Sequence, residues 1–509
     1  MTPLNNVKEA VGVLVVGAGP TGLTLACDLR RRGIATTVVE RGDGLFPGTR
    51  GKGIQPRTME VFDDLGLADA VRAAGGPYPR MLVHRAGEPP VEWDMIERAE
   101  PRPDAPYAEV WMLPQWRTQE LLLERLRALG GEVEFGTALT GLEQDADGVT
   151  AHLSTGRTGN TEGTEHTVRA AYAVGCDGAR GTVRATLGIG MTGETVDAEP
   201  SVVADVLLAG LDQRYWHVWR DDADAALALC PMPGSDTFQF VAQHATLDDA
   251  RGGTREAFLR ELLAARTDLA PEQLKEVVHA SEFRVNAALA DRFRSGRVFL
   301  AGDAAHIHSP AGGQGLNTSV QDAYNLGWKL GLVLHGHADE ALLDTYEAER
   351  APLAAEVLGL STRLHHRAVK RGTETHQLGL AYPDSPLTRH AAAPHSATAR
   401  PTAPNEGAPH TGAPAPGDRA PDAPVTAATT ADGSPLRVFD LLRGPHLTLL
   451  AVGDVTPPAD LPPYVRTHPI PATPPYTSGA LHLIRPDGYL ALITEDAQEV
   501  TSYLAALSA

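Results

Sequence analysis

Gly17-Ala-Gly19-Pro-Thr21-Gly22 places three glycines at the spacing of a phosphate-binding turn, and Glu40 follows where an acid can meet a ribose. Gly17 permits the tight turn, Gly19 lets backbone approach a pyrophosphate, and Gly22 lets a helix pack closely on a strand. The start of that helix adds N–H groups and partial positive charge. The chemistry is dinucleotide binding. A second match, Gly188-Ile-Gly190-Met-Thr-Gly193, follows a helical pattern rather than a strand and reads as an ordinary loop. One nucleotide-binding unit is therefore expected, without a second fingerprint for a nicotinamide donor.

Two more glycine-rich segments carry polar groups. One is Gly175-Cys-Asp177-Gly178-Ala-Arg180-Gly181-Thr-Val-Arg184. The other is Gly302-Asp303-Ala-Ala-His306, then Pro310-Ala-Gly-Gly313-Gln-Gly315-Leu316-Asn317. A buried Asp303 needs a donor, and a sugar hydroxyl is a suitable one. The stretch ending at Asn317 opens a helix from about Thr318, so its N–H groups face a site suited to negative charge. Arg50-Gly51-Lys52-Gly53 sets two cations among two glycines. His306 and His308 either relay a proton or are satisfied by backbone bonds. His365 and His366 point about 100° apart on a helix, with no acid or cysteine one turn away, so no metal site is expected.

These residues need a frame. Val11–Val16 reads as a buried parallel strand, Leu23–Arg32 as a helix stopped by Gly33, and Ile34–Glu40 as a second strand: a βαβ unit. Thr118–Leu129, Ala257–Arg266 and Val320–Leu334 have helical spacing, and Val298–Ala301 is a short buried strand. Between Val202 and Gln243, the runs Tyr215–Arg220, Ala225–Cys230 and Phe238–His244 are separated by Pro231, Pro233 and Gly234. That pattern predicts an inserted, mostly antiparallel sheet. Tyr215, His217 and Trp219 alternate, as do Phe238 and Phe240; one such face either lines an aromatic pocket or forms plain sheet core. Residues 391–431 are rich in Ala, Pro and Thr and read as a linker or an extended wrap. Leu436–Leu442, Leu447–Val452 and Leu481–Arg485 then begin a small α/β module.

A chain of 509 residues exceeds one core, so two or three domains are expected. Its net charge of −20 disfavours nucleic acid and anionic membrane as partners. Cys27, Cys176 and Cys230 form no CxxC, which points to a reducing cytosolic setting without disulfides or structural zinc. Met1–Ala10 lacks the apolar core of a signal peptide, and no apolar run approaches the roughly eighteen residues of a membrane span.

Taken in order, the three glycine-rich segments resemble the signature motifs of the class A flavoprotein aromatic hydroxylases, the p-hydroxybenzoate hydroxylase-like superfamily, over roughly residues 11–375. The resemblance implies an α/β fold. A Rossmann-like FAD-binding domain of the glutathione-reductase type would span 1–190 and 280–390, with 79–107 on the substrate side. An antiparallel substrate sheet would span 191–279, a linker 391–431 and a thioredoxin-like domain 432–509. Gly417–Asp422 and Leu483–Gly488 resemble edges of that last domain in the polyketide and phenol subgroup; with no cysteine after Cys230 it does no thiol–disulfide chemistry. No motif lies beyond Ala431, so flavin binding is expected to survive loss of the tail.

The resemblance also implies residue roles. Gly17, Gly19, Thr21, Gly22, Glu40 and Arg41 would hold the ADP half of FAD, with Leu139 against the adenine. Asp303 would bond a ribityl hydroxyl, and Gly313, Gly315, Leu316 and Asn317 would meet the isoalloxazine. Gln115 would contact FAD, and Asp177-Gly178 would support both FAD and the nicotinamide. Arg50 matches the family's arginine; Lys52 stands where some relatives have another, and Gly181 where many have Ser. Arg50, Lys52 and Pro310, which flanks the reacting face, are the catalytic candidates; His217, Trp219, Phe238 and Phe240 are the substrate candidates. The implied reaction uses NADPH or NADH to reduce FAD, forms a C4a-hydroperoxide with O₂, and hydroxylates a phenolic or polyketide ring. Rivals are Baeyer–Villiger insertion, antibiotic inactivation, and a flavin protein that binds a drug without turnover. The likeness is compatible with a homodimer.

Overall fold

The computed structural model describes residues 7–156, 163–220, 225–247, 253–366, 370–390, 413–430, 433 and 435–508. Strand Val7–Val16 lies at its centre, parallel to Thr164–Gly175 on one side and Thr36–Val39 on the other. Val298–Leu300 and Val133–Glu134 extend this parallel sheet outward. Val13, Leu14 and Val15 have no solvent exposure, as a strand covered on both faces requires. The helix Pro20–Arg31 starts at Gly19 with proline in its first turn, where the missing N–H costs nothing. Gly17 has φ +106°, and a Cβ there would overlap the carbonyl of Cys176, so only glycine serves the turn.

The second sheet is antiparallel except where Tyr215–Arg220 runs parallel to Arg80–His84. Its strand order is His306–Ile307, Leu274–Ala290, Met191–Leu208, Thr237–Gln243, Ala226–Pro231, Tyr215–Arg220, Arg80–His84, Val91–Trp93. The expected boundary at residue 279 is passed, because Leu274–Ala290 is one strand with no glycine or proline to end it. The second glycine triplet is only partly a loop: Gly188 turns the chain, while Gly193 lies in the sheet opposite Ala288.

Each face of this sheet has its own partner. Phe238, Phe240, Trp219, Val202, Ala204 and Leu229 pack with Phe258, Leu259 and Leu263 of the helix Arg255–Arg266. The opposite face carries Val218, Ala228 and Cys230, which meet Tyr78, Met81, Met95 and Met112.

The C-terminal module is a four-stranded mixed sheet ordered Val465–Ile470, Leu447–Val452, Ala480–Ile484, Leu490–Thr494, with the helix Ala497–Leu507 against it. Most of the expected linker, 391–412, lies outside the described residues. Its later part is no linker: Asp418, Arg419, Ala420, Asp422 and Ala423 are buried. Arg419 pairs with Glu60 at 2.9 Å, Arg57 donates to the Asp487 carbonyl at 2.6 Å, and Arg485 pairs with Glu349 at 2.6 Å. Ala and Pro gave little to read there, whereas the few charges between them carry the docking. No helix among the described residues is long and apolar enough to cross a membrane.

Candidate active site

Glu40, just past the strand Thr36–Val39, accepts from the Ala18 N–H through Oε2 and from the Gly42 N–H through Oε1, each at 2.9 Å. The carboxylate is thus fixed at the mouth of the first turn. No side chain caps the Pro20–Arg31 helix, and a Cβ on Gly19 would meet nothing within 4 Å. Free N–H groups therefore face open space, the arrangement a phosphate needs. Arg41 is exposed, Thr21 and Gly22 are buried, and Leu139 sits in the core of the first sheet.

Asp177 Oδ2 accepts from the Val183 N–H at 3.0 Å, while its Oδ1 is buried without a partner. Burial pushes this carboxyl upward. A Cβ on Gly181 would overlap Asp177 Oδ1, so the serine common in the family finds no room beside this rotamer. Gly178, at φ +83°, again faces open space.

Asp303 lies on the 3-10 turn Gly302–Ala304. The residue keeps exposed surface, yet desolvation by the surrounding protein raises its carboxyl despite the pull of His306 and Arg50. Behind the turn stands Asp322, two helical turns along from Gly315. Asp322 Oδ2 accepts from the Gly302 N–H at 3.0 Å and contacts His306 Nε2 at 2.5 Å. Its Oδ1 takes Arg350 Nε at 2.7 Å. Burial alone would raise Asp322, but His306 and Arg350 hold it at about 2. His306 is therefore satisfied by a carboxylate, not by backbone. His308 continues the line, with its Nε2 2.9 Å from His306 Nδ1.

The long helix Gly315–Leu334 also has no side-chain cap. Asn317, at its start, accepts from the Gln55 N–H at 2.8 Å and donates to the carbonyls of Gly53 at 2.8 Å and Gly313 at 2.7 Å. Gln115 accepts from the Gly51 N–H at 3.0 Å. The Arg50–Gly53 loop is thus anchored at both sides. Arg50 is exposed over Phe46, Pro310 is exposed, and Gly313, Gly315 and Leu316 are half-buried. Lys52 is buried: its ammonium bonds Gln239 and stands 4.0 Å from the centre of the Trp216 ring. Burial lowers its basicity.

The substrate candidates need correction. Trp219, Phe238 and Phe240 face the Arg255–Arg266 helix, and His217 stacks on His84 and bonds the Asp212 carbonyl. The face toward Lys52 presents their neighbours Trp216 and Gln239, with Asp205, which accepts from the Thr49 N–H at 2.6 Å. Alternation marked two faces without saying which met the loop. A buried glutamine between two phenylalanines was the available signal, and the Gly315-to-Asp322 spacing was the one for Asp322. Among the described residues, no cluster of three metal-ligating side chains occurs.

The residues fit FAD: two uncapped helix starts, an acid at the ribose position, and the unpartnered Asp177 oxygen all call for a polar, anionic ligand with donors. Comparison with known proteins agrees. A family described as "FAD binding domain" matches residues 10–361. A flavin-dependent monooxygenase of Mycobacteroides abscessus is 44% identical over 506 residues, covering 97% of this chain and 99% of its own. The 6-methylpretetramide 4-monooxygenase of Streptomyces rimosus is 40% identical over 354 residues, 69% of this chain and 61% of its own. The rifampicin monooxygenase of Streptomyces venezuelae is 38% identical over 356 residues, 68% of this chain and 69% of its own. Among solved structures, the ternary complex of aklavinone-11 hydroxylase with FAD and aklavinone superposes with a TM-score of 0.77 at 30% identity, covering 99% of each chain.

Proposed function

This chain belongs to the FAD-binding family of flavin-dependent monooxygenases, and we propose that it hydroxylates an aromatic polyketide or related phenol with NAD(P)H and O₂. One observation carries the reading: the three glycine-rich segments meet, Gly17 lying against Cys176 and Asp177, and Gly302, beside Asp303, against Thr21 of the first helix and Ser319 of the Gly315–Leu334 helix. When bound there, FAD supplies the oxygen-activating chemistry.

The protein's share is positioning and electrostatics. Glu40 would accept from ribose hydroxyls, with Arg41 and Leu139 about the adenosine and the N–H groups after Gly19 at the pyrophosphate. Asp303 would accept from the ribityl chain, and Asp177-Gly178 would steady the same cofactor. The uncapped start at Gly315–Asn317 would stabilise negative charge on the ring. Gln115 and Asn317 would hold the Arg50–Gly53 loop, with Arg50 and Lys52 bracketing the ring's path and Pro310 closing the reacting face. Trp216, Gln239 and Tyr78 replace the original substrate candidates on the wall that excludes water. Residues 1–190 with 291–390 would form the cofactor domain. Residues 191–290 with 79–107 would form the substrate domain, and residues from 413 onward a docked third one. A homodimer is the proposed assembly.

The purified protein should be yellow, release FAD on denaturation, and take up O₂ with NADPH when given an aromatic polyketide. A colourless protein that FAD cannot reconstitute rejects the reading. Asp303→Ala should weaken FAD binding more than tenfold, since a charge-assisted bond is worth about 1.5–3 kcal/mol. The rifampicin monooxygenase relatives favour a second reading, oxygenation of an antibiotic as inactivation, which product mass and loss of antibiotic potency distinguish.

A further inference from the structure

His308 lies between the strand His306–Ile307 and the glycine turn Ala311–Gly313, and its side chain rests on Gly315. The polarity of the hydrogen-bond chain behind it follows from one charge. Asp322 accepts from Arg350 and from the Gly302 N–H, both fixed donors, so its carboxylate is ionised. A carboxylate can only accept, so His306 Nε2 carries the proton facing it. In a neutral His306, Nδ1 is then the acceptor, and His308 Nε2–H must donate to it at 2.9 Å. That assignment leaves His308 Nδ1 as a bare lone pair. The same atom is buried and has no partner.

Arg350 already balances the charge of Asp322, so the order is that of a neutral His306; an imidazolium there would donate from both nitrogens and turn His308 round. Burial pushes His308 far below its ordinary value, with Arg350 acting in the same sense and Asp322 against them. Asp303 lies within electrostatic reach of His306, and Tyr346 within reach of Asp322 and Arg350. Neither supplies a bond to His308 Nδ1. An acceptor left unmet in an interior loses the bonds it had in water, so a chain built to present one calls for a donor.

We propose that His308 Nδ1 accepts a hydrogen bond from the ring bound at the start of the Gly315–Leu334 helix, with His306, Asp322 and Arg350 as positioning residues that fix its tautomer. The donor is a polarised N–H or O–H on a planar ring: the imide of the flavin or an acidic hydroxyl of the aromatic substrate. This rests on the monooxygenase reading, and the two sources separate experimentally.

His308→Phe keeps the ring shape without the acceptor, and His308→Gln restores a carbonyl acceptor. Both are compared with wild type as holoenzyme, with FAD affinity and the alkaline ionisation of the bound flavin imide read from absorbance. Binding of 2-hydroxyanthraquinone is compared with binding of its methyl ether. If the flavin imide is the donor, His308→Phe weakens FAD at least tenfold and moves the imide ionisation, and His308→Gln recovers most of both. If the substrate is the donor, FAD is unchanged, and the preference for hydroxy over methoxy probe falls at least tenfold in His308→Phe only. A yellow, active His308→Phe enzyme with FAD affinity, imide ionisation and probe preference unchanged overturns the inference while leaving the monooxygenase reading intact. Nitrogen-15 NMR of histidine-labelled wild-type protein gives a check that needs no variant. It should show a neutral His308 protonated at Nε2, and a proton on Nδ1 would refute the chain.

Discussion

Arg485 is the pivot of the contact between the C-terminal module and the cofactor domain, and replacing it with methionine tests how that contact works. Its guanidinium reaches Glu349 at 2.6 and 2.9 Å and Asp487 at 2.9 and 2.6 Å. All three side chains are 1% exposed. Trp328 and Tyr382 lie 5.3 and 5.2 Å from its charged carbon, so the cation is also caged by rings. Methionine fills the space of the stem but leaves Glu349 with one cation, Lys329, beside the Asn325 amide and the Ser385 hydroxyl, and leaves Asp487 with Asn325. Removing one member of a buried pair costs about 3–5 kcal/mol, because the survivor stays desolvated. Urea unfolding followed by tryptophan fluorescence should show that loss at neutral pH. The pH dependence has a definite sign. Burial would raise Glu349, but Arg485 and Lys329 hold it well below the ordinary range. It therefore contributes stability above its unfolded pKa, and that contribution is lost as pH falls through the folded one. In Arg485→Met the carboxyl rises and takes up a proton earlier, so the gap to wild type should narrow between about pH 7 and pH 4. A difference within about 0.5 kcal/mol at neutral pH, or a gap that widens in acid, would refute the reasoning.

Three further outcomes are expected. Lys52→Met should reduce the acceleration of flavin reduction that substrate gives in anaerobic stopped flow, while FAD affinity changes less than about threefold, because its contacts are Gln239 and Trp216; equal loss in both sinks the idea. Phe240→Ala should destabilise the protein by about 3–5 kcal/mol, whereas Gln239→Leu should chiefly raise the KM for substrate, since the two side chains point to opposite faces; calorimetry and initial rates separate them. Gly181→Ser should lower the melting temperature and weaken FAD, because its Cβ displaces Asp177 from the Val183 N–H; an unchanged Asp177 rotamer in a crystal of the variant would contradict this.

What could be read in advance follows from the range of the interactions involved. The Gly17 turn, Glu40 and the strand between them lie within one βαβ unit, so local spacing carried them. The inserted sheet was legible because alternation and proline breaks are also local. The orientation of the sheet was not, since period two is the same whichever face meets the Arg50–Gly53 loop. Arg419 and Glu60 stand 359 positions apart, and nothing local to either announces the other. The stretch around Arg419 read as linker because Ala and Pro dominate it. Burial there is supplied by backbone and by three charged side chains, Asp418, Arg419 and Asp422.

The distribution of buried charge explains how such separated segments build one cleft. Glu60 sits on the helix that follows the Arg50–Gly53 loop, and Asp322 and Lys329 sit on the helix that Gly315 opens. Glu349 and Arg350 lie next to each other on the helix Asp344–His366; both reach the helix that Gly315 opens, through Lys329 and Asp322, and Glu349 also holds Arg485 of the C-terminal module. Buried ion pairs contribute little net stability, because desolvation offsets their attraction, but a misaligned pair is costly. Such pairs therefore fix register where apolar packing would tolerate a slip. Asp322 illustrates the consequence: one carboxylate holds the Gly302 backbone, His306 and Arg350. The turn bearing Asp303, the histidine line and the start of the long helix must then keep a common alignment. The chemistry of the cleft depends on these charges behind it as much as on the residues that face it.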